Sequence, residues 1–181
     1  MASELKLVLL DRDGVINRDS RAFIKTPDEW KALPGSLEAI ARLHQAGWTV
    51  IVVTNQSGVG RGLIDYAQLA EIHRKMHNEV VAEGGEIAAV FFCPHAPDDG
   101  CTCRKPKSGL FEQIRNRFDV ALENVPAIGD SMRDLVAAET AGCKPVLVRT
   151  GNGRKTEKLL PEESTIEVFD DLSQAADTLL G

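Results

Sequence analysis

Asp11 and Asp13 stand one residue apart in the stretch LLDRDGVIN, where they end an apolar run that reads as a buried strand. On extended backbone, residues two apart point to the same side, so both carboxylates face one site and Arg12 faces away. Like charges held so close need a neutralising cation or a shared proton, and either condition suits nucleophilic or acid–base chemistry. An isolated pair of this kind also fits a solvated turn or helix cap. Its place at a strand end favours the site.

Three further motifs follow apolar runs. TNQSGVGRG begins with Thr54 and Asn55, which offer a hydroxyl, an amide and backbone N–H groups to an oxyanion. Its glycines, Gly58, Gly60 and Gly62, fall one place short of a dinucleotide fingerprint and fit a mobile loop better. CPHAPDDGCTCRKPK places Cys93, His95, Cys101 and Cys103 as two short chelating pairs. Three thiolates and an imidazole make a closed tetrahedral zinc set, with no position left for substrate, so the metal would be structural. The alternatives are a disulfide or a chance cluster. Arg104 and Lys105 follow the last ligand, and the loop would mount them toward the site; a solvated basic run fits the same charge pattern. IGDSMRD adds Asp130, and three converging carboxylates suit Mg²⁺. Asp134 either belongs to this site or complements a helix dipole. His73 and His77 stand four apart on a helix, but Arg74 occupies the place of a metalloprotease glutamate, so they read as ordinary helix residues. His44 gives no signal, and Cys143 reads as a small core residue.

These residues need a scaffold that brings strand ends together. Apolar runs at 6–10, 49–53, 87–92, 125–128, 145–148 and 166–169 alternate with helical patterns at 36–47, 66–85, 110–118, 133–142 and 172–180. A β-α-β-α string implies an α/β, Rossmann-like three-layer sandwich with a central parallel sheet, its ligands beyond the carboxyl ends of the strands. The stretch 150–164 reads as a surface connection. At 181 residues the chain fits a single domain, 1–181, including a zinc-organised loop at 93–107. The excess of 27 acidic over 21 basic residues, net charge −6, argues against general binding to nucleic acid. The sparse cysteines argue against a disulfide framework, and the N-terminal apolar run is too short for a leader or membrane span. A soluble cytoplasmic protein, expected to be a monomer, is the result.

Taken together, DRDG, TNQSG, the RKPK lysine and GDSMRD resemble, in order and spacing, the haloacid dehalogenase superfamily of phosphotransferases over about residues 5 to 150. With the C-x-H…C-x-C loop, the chain resembles the heptose bisphosphate phosphatases and their relatives, the histidinol-phosphate phosphatases. That resemblance implies a phosphatase with Asp11 as nucleophile, Asp13 as general acid and base, and Mg²⁺ held by Asp11, the Asp13 backbone carbonyl and Asp130. It implies that Thr54 and Asn55 bind phosphoryl oxygens and that Lys105 neutralises charge. The intervals between motifs leave no space for a large cap domain. Specificity then falls to the loops 18–25 and 56–61 and to the zinc loop, with Asp19, Arg21, Gln56, Ser57 and Arg104 among the substrate contacts. The substrate implied is a sugar bisphosphate of the ADP-heptose and lipopolysaccharide core route. Arg18, Arg21, Lys25, Arg61 and Arg104 carry more positive charge than one phosphate needs. Two departures from the heptose phosphatases touch substrate contacts only: a shorter link between the zinc pairs, and Ser131 where many carry lysine.

Overall fold

The apolar run Leu7–Leu10 forms the central strand β1, all four of its side chains buried. This computed structural model describes residues 5–181. β1 pairs in parallel with β2 (Thr49–Asn55) on one side and β4 (Pro126–Gly129) on the other. β3 (Ala89–Cys93) extends the sheet past β2, and β5 (Lys144–Val148) and β6 (Glu167–Phe169) extend it past β4. The order is β3-β2-β1-β4-β5-β6, parallel throughout. Chain direction across the sheet reverses between β1 and β4, and a crevice opens there beyond the strand ends. Leu10 lies in register with Val52 and Ile128, so the residues after β1, β2 and β4 emerge at one edge.

Side-chain alternation along β1 divides the core in two. Val8 and Leu10 pack with Ile40, Leu43, Ile72, Met76 and Leu172, from the helices α1 (Ser36–Gln45), α2 (Tyr66–Ala82) and α6 (Leu172–Leu180). Leu7 and Leu9 pack with Leu110, Ile114, Ala137 and Ala138, from α3 (Gly109–Phe118) and α4 (Met132–Thr140). The expected three-layer sandwich is therefore present, and each layer is covered because both faces of the strands are apolar. Local signals set the helix ends. Asp65 and Gln68 form a reciprocal capping box at the start of α2, and Asp171 accepts from the Gln174 N–H at the start of α6. Gly47 and Gly84 stop α1 and α2 in the left-handed conformation, at φ of +83° and +82°.

Two short elements escaped the sequence reading. Pro27–Glu29 forms a 3₁₀ turn in the segment between β1 and α1. No inserted cap domain stands in that segment among the described residues. The stretch 150–164, read as a plain surface connection, contains the short helix α5 (Gly153–Glu157), whose approach to the strand ends has a functional consequence. No described helix is long and apolar enough to cross a membrane.

Candidate active site

Lys105 is the pivot of the crevice. It is only 3% exposed, and its Nζ donates to Asp11 Oδ1 at 3.0 Å, Asp134 Oδ1 at 2.6 Å and the Val53 carbonyl at 2.7 Å. Three donors meet three acceptors, so the ammonium acts on the crevice through its charge. Burial disfavours the cation, yet the Asp11 and Asp134 carboxylates hold Lys105 above its ordinary pKa. Asp11 follows β1 directly, its N–H bonded to the Ile128 carbonyl of β4 at 2.9 Å. Its Oδ1 also accepts from the Arg12 N–H at 2.8 Å. Oδ2 has no protein donor among the described residues and is the oxygen left for chemistry. Burial pushes the Asp11 carboxyl well above the carboxylate range, Lys105 opposes this, and the neighbouring aspartates reinforce it. Asp134 completes the pivot. Its Oδ2 accepts from the Ser131 hydroxyl at 2.6 Å and the Ser131 N–H at 3.0 Å, capping α4 while Oδ1 holds the lysine. Both alternatives weighed for Asp134 are therefore realised.

Asp13 lines the same crevice as Asp11, as the spacing required, but Arg12 does not simply point away. Fully buried, it turns its guanidinium back onto the Asp13 carboxylate, with contacts of 3.0 to 3.1 Å from Nε and Nη2. Asn17 Nδ2 and Gln56 Nε2 each donate to the same carboxylate at 2.8 Å. Burial alone would raise the Asp13 pKa; the Arg12 charge and these hydrogen bonds outweigh it and hold the group below the usual range. The pair flanking Arg12 thus differ: Asp11 is pushed toward protonation, and Asp13 rests as a carboxylate.

Asp130 emerges from β4 with 3% exposure. Its Oδ2 accepts from the Asn152 N–H at 2.7 Å and Asn152 Nδ2 at 3.2 Å, and its carbonyl accepts from the Thr156 hydroxyl at 2.8 Å. The segment entering α5 therefore supplies a site residue. The strand-end rule applied to the fifth strand would have found Asn152, because Arg149-Thr150-Gly151-Asn152 follows β5. Two glycines let the backbone approach: a Cβ at Gly14 (φ +88°) or Gly151 (φ +56°) would stand 2.2 Å from Asp130 Oδ2. Burial, then the Asp134 charge, raise the Asp130 pKa to about 7, against the Asn152 hydrogen bonds.

Carboxylate oxygens of Asp11, Asp130 and Asp134 lie within 4.8 Å of one another. Four aspartates meet two buried cations, Arg12 and Lys105, an excess of two negative charges that a hard divalent cation fits. Since Asp134 spends both oxygens on Lys105 and Ser131, Asp11 and Asp130 are the carboxylates with an oxygen free for a metal. The other cluster suits a softer ion. Cys93, His95, Cys101 and Cys103 present their ligand atoms within 4.8 Å, with Sγ–Sγ separations of 3.2 and 3.7 Å and His95 Nδ1 at 3.3 and 3.5 Å from two sulfurs. A zinc tetrahedron with Zn–S bonds of about 2.3 Å has edges of roughly 3.8 Å, so these groups fit it. The described cysteines form no disulfide. The loop is also tied to its neighbours. The Gly60 N–H donates to the Pro94 carbonyl at 2.8 Å, and the Asn55 amide both donates to and accepts from the Lys105 backbone, each at 3.0 Å.

The clamp commits the Asn55 side-chain amide to the zinc loop, although Asn55 still lines the cleft. The Gln56 amide likewise bridges the Thr54 hydroxyl, at 2.9 Å, and Asp13. Thr54, Asn55, Gln56, Ser57, Asp19, Arg104 and Lys105 all line a cleft of about 240 Å³ with Asp11, Asp13 and Asp130. Arg18, Arg21 and Lys25 do not line it; Lys25 turns to Glu29 and the Ala22 carbonyl. Arg133, Asn152 and Phe23 do, and the sequence reading passed over them. Arg133 stood in the quoted motif GDSMRD, one turn-entry residue before Asp134. Phe23 adopts φ +63°, uncommon for a bulky residue, and its ring lies 5.6 Å from the Arg61 guanidinium. Arg61, Arg104 and Arg133 share the rim: burial first, then the Arg133 and Arg61 charges, pull Arg104 below its ordinary pKa.

A parallel sheet whose strand ends gather aspartates about one lysine defines a hydrolase of the haloacid-dehalogenase-like class, acting on phosphoric monoesters. Residues 102–175 match the family model described as HAD-hydrolase-like, and residues 6–137 match the model described as polynucleotide kinase 3 phosphatase. The chain is 59% identical to D-glycero-β-D-manno-heptose-1,7-bisphosphate 7-phosphatase of Bordetella bronchiseptica, over 97% of this chain and 98% of that one. It is 53% identical to the enzyme of the same name from Pseudomonas aeruginosa, over 96% and 97%. The crystal structure of the B. bronchiseptica D,D-heptose 1,7-bisphosphate phosphatase, complexed with magnesium and phosphate, superposes with a TM-score of 0.94 at 59% identity, covering 97% of this chain and 98% of that one. The corresponding enzyme of Burkholderia thailandensis gives 0.77 at 46%, covering 97% and 99%. The chain therefore belongs to the family of the polynucleotide kinase 3 phosphatase model and to that of the D-glycero-β-D-manno-heptose-1,7-bisphosphate 7-phosphatases.

The packing about Asp130 makes a direct prediction. Gly151→Ala forces a Cβ onto the carboxylate and into a left-handed conformation, and should cost about 2 kcal/mol of stability. Denaturant unfolding of the two proteins side by side measures this, and an unchanged midpoint would contradict the close approach.

Proposed function

We propose that the chain removes the 7-phosphate of D-glycero-D-manno-heptose 1,7-bisphosphate, in the synthesis of ADP-heptose for lipopolysaccharide core precursors. Asp11 Oδ2 attacks phosphorus while Oδ1, tied to Lys105 and the Arg12 N–H, holds the carboxylate in line. Asp13 rests ionised; the arriving phosphate dianion raises its pKa by like-charge repulsion, so it takes up a proton from solvent as the substrate binds and passes that proton to the leaving alkoxide. Returned to the carboxylate form by its Arg12, Asn17 and Gln56 contacts, it then draws a proton from the water that opens the aspartyl-phosphate. Thr54 and Ser57 at the cleft wall meet phosphoryl oxygens, and the Lys105 charge offsets the charge that gathers on them.

Asp11, Asp130 and the Asp13 backbone carbonyl would hold Mg²⁺, which when bound neutralises the carboxylate excess and the phosphoryl charge. Cys93, His95, Cys101 and Cys103 would hold a structural zinc that fixes the loop delivering Arg104 and Lys105. The chain is read as one domain, 1–181, acting as a monomer in the cytoplasm. The net charge of −6 speaks against a polynucleotide substrate despite the name of one family model.

The observation that carries the bisphosphate reading is the rim. Arg61, Arg104 and Arg133 face the cleft beyond the reacting cluster, and none pairs with a carboxylate among the described residues. A second phosphate is the group of matching charge, and histidinol phosphate offers none. Under identical Mg²⁺, kcat/KM should therefore fall in the order heptose 1,7-bisphosphate, heptose 7-phosphate, histidinol phosphate. Arg104→Ala should narrow the first gap by about tenfold, as the loss of one charged contact to the remote phosphate requires. Histidinol phosphate as the best substrate would sink the heptose reading and leave the phosphatase chemistry standing.

A pH dependence follows from Asp130. Its pKa of about 7 in the metal-free protein lies above the usual carboxylate value, so the proton is bound below that pH and Mg²⁺ must displace it. Calorimetric titration with Mg²⁺ should find weaker binding at pH 6 than at pH 8, with protons released at the lower pH. Equal affinity at both would remove Asp130 from the metal site.

A further inference from the structure

His73 lies outside the cleft, on the buried face of α2, and the helix pattern alone gives it no task. Its Nε2 stands 3.2 Å from Arg12 Nη1, while the other two guanidinium nitrogens grip Asp13. A guanidinium has only donors, so the imidazole nitrogen must accept, which places the ring proton on Nδ1. Arg12 is wholly buried, and without this acceptor its Nη1 edge would lose the partner that fixes the plane of the group. The imidazole is held in turn: Phe92 packs edge-on at 5.9 Å between ring centroids, and His73 is itself only 9% exposed.

We propose that His73 is a positioning residue for the phosphoryl-transfer reaction: by accepting from Arg12 Nη1 it fixes the guanidinium, and through it the Asp13 carboxylate that faces the substrate. The inference rests on the reading of Asp13 as the acid and base. Burial, then the Arg12 charge, lower the His73 pKa to about 3, which keeps the ring a neutral acceptor at any pH where the protein works. Asn17 and Gln56 also touch Asp13, but each brings a single neutral donor, whereas Arg12 spans both carboxylate oxygens with its charge.

The test compares His73→Phe, which keeps a ring against Phe92 and removes the acceptor, with His73→Gln, whose Oε1 reaches the position of Nε2. His73→Phe should lower kcat about tenfold with KM changed by less than about twofold, and His73→Gln should restore most of the rate. In an Asp13→Asn background the Phe substitution should have no further effect on the residual rate, because His73 acts only through that carboxylate. Wild-type kcat in His73→Phe, equal impairment in His73→Gln, or a full further loss in the Asp13→Asn background would each overturn the proposal. Full turnover by Asp13→Asn itself would instead sink the reading of Asp13. Nitrogen-15 spectra of the unsubstituted protein give an independent check that survives a misfolded variant: at pH 7 His73 should be neutral with Nε2 unprotonated, and an Nε2–H tautomer or an imidazolium would contradict the assignment.

Discussion

A lysine ammonium taken out of water costs several kcal/mol unless carboxylates meet it in good geometry, and the site is built around satisfying Lys105. Asp11 at the end of β1, Asp134 at the start of α4 and the Val53 carbonyl of β2 each accept one of its hydrogen bonds. Those acceptors come from three separate segments, so the ammonium can be buried only when the sheet is in register and α4 is seated. The segment bearing Lys105 must also arrive from the loop after β3, which has almost no regular structure of its own. The Asn55 clamp on the Lys105 backbone supplies part of the rigidity that helix or strand hydrogen bonds would otherwise give, and a metal at Cys93, His95, Cys101 and Cys103 would supply the rest.

The same burial sets the electrostatic character of the crevice. Arg12 and Lys105 balance two of the four aspartates, and the remainder is a preorganised deficit of positive charge at the strand ends. A hard divalent cation gains free energy from this imbalance, and a phosphate dianion can follow only once the negative excess is met. Two carboxylates one residue apart are moreover driven in opposite directions, Asp11 by burial beside other aspartates and Asp13 by its donors. In the proposed mechanism one acts as nucleophile and the other moves protons, and that division of labour originates in Arg12, which lies between them in sequence and turns its side chain to one.

Most of the frame was legible in the residues because parallel strands buried on both faces must be apolar runs, as Leu7–Leu10 and residues 50–53 are, while the edge strand Glu167–Phe169 is only half-buried and opens on a charge. The aspartates were legible through their position after those runs. Less visible were contacts that depend on where a side chain turns back. Arg12 was expected to leave the site by strand alternation, but β1 ends at Leu10, and beyond it the chain bends around Val15 and Ile16, so alternation no longer applies. The amides of Asn55 and Gln56 looked like phosphate ligands and instead bind protein, because a loop meeting another loop competes for the same donors. Charge counting found a surplus of basic residues but not their placement: Arg61 and Arg104 line the cleft, Arg18, Arg21 and Lys25 do not line it in this structure, and Arg133, not counted, comes to the rim on the first turn of α4. His73 was silent because its partner lies 61 residues away.

The central claim is that the buried Asp11, oriented by Lys105, becomes covalently phosphorylated during turnover. Rapid acid quench of the working enzyme with the sugar bisphosphate and Mg²⁺, followed by mass spectrometry of the peptides, tests it without any substitution. The account predicts a phosphoryl group on Asp11 that forms and decays at the rate of catalysis. Phosphate on a different residue, or inversion of configuration at a chiral phosphorus in the released phosphate, the mark of a single direct displacement by water, would contradict it.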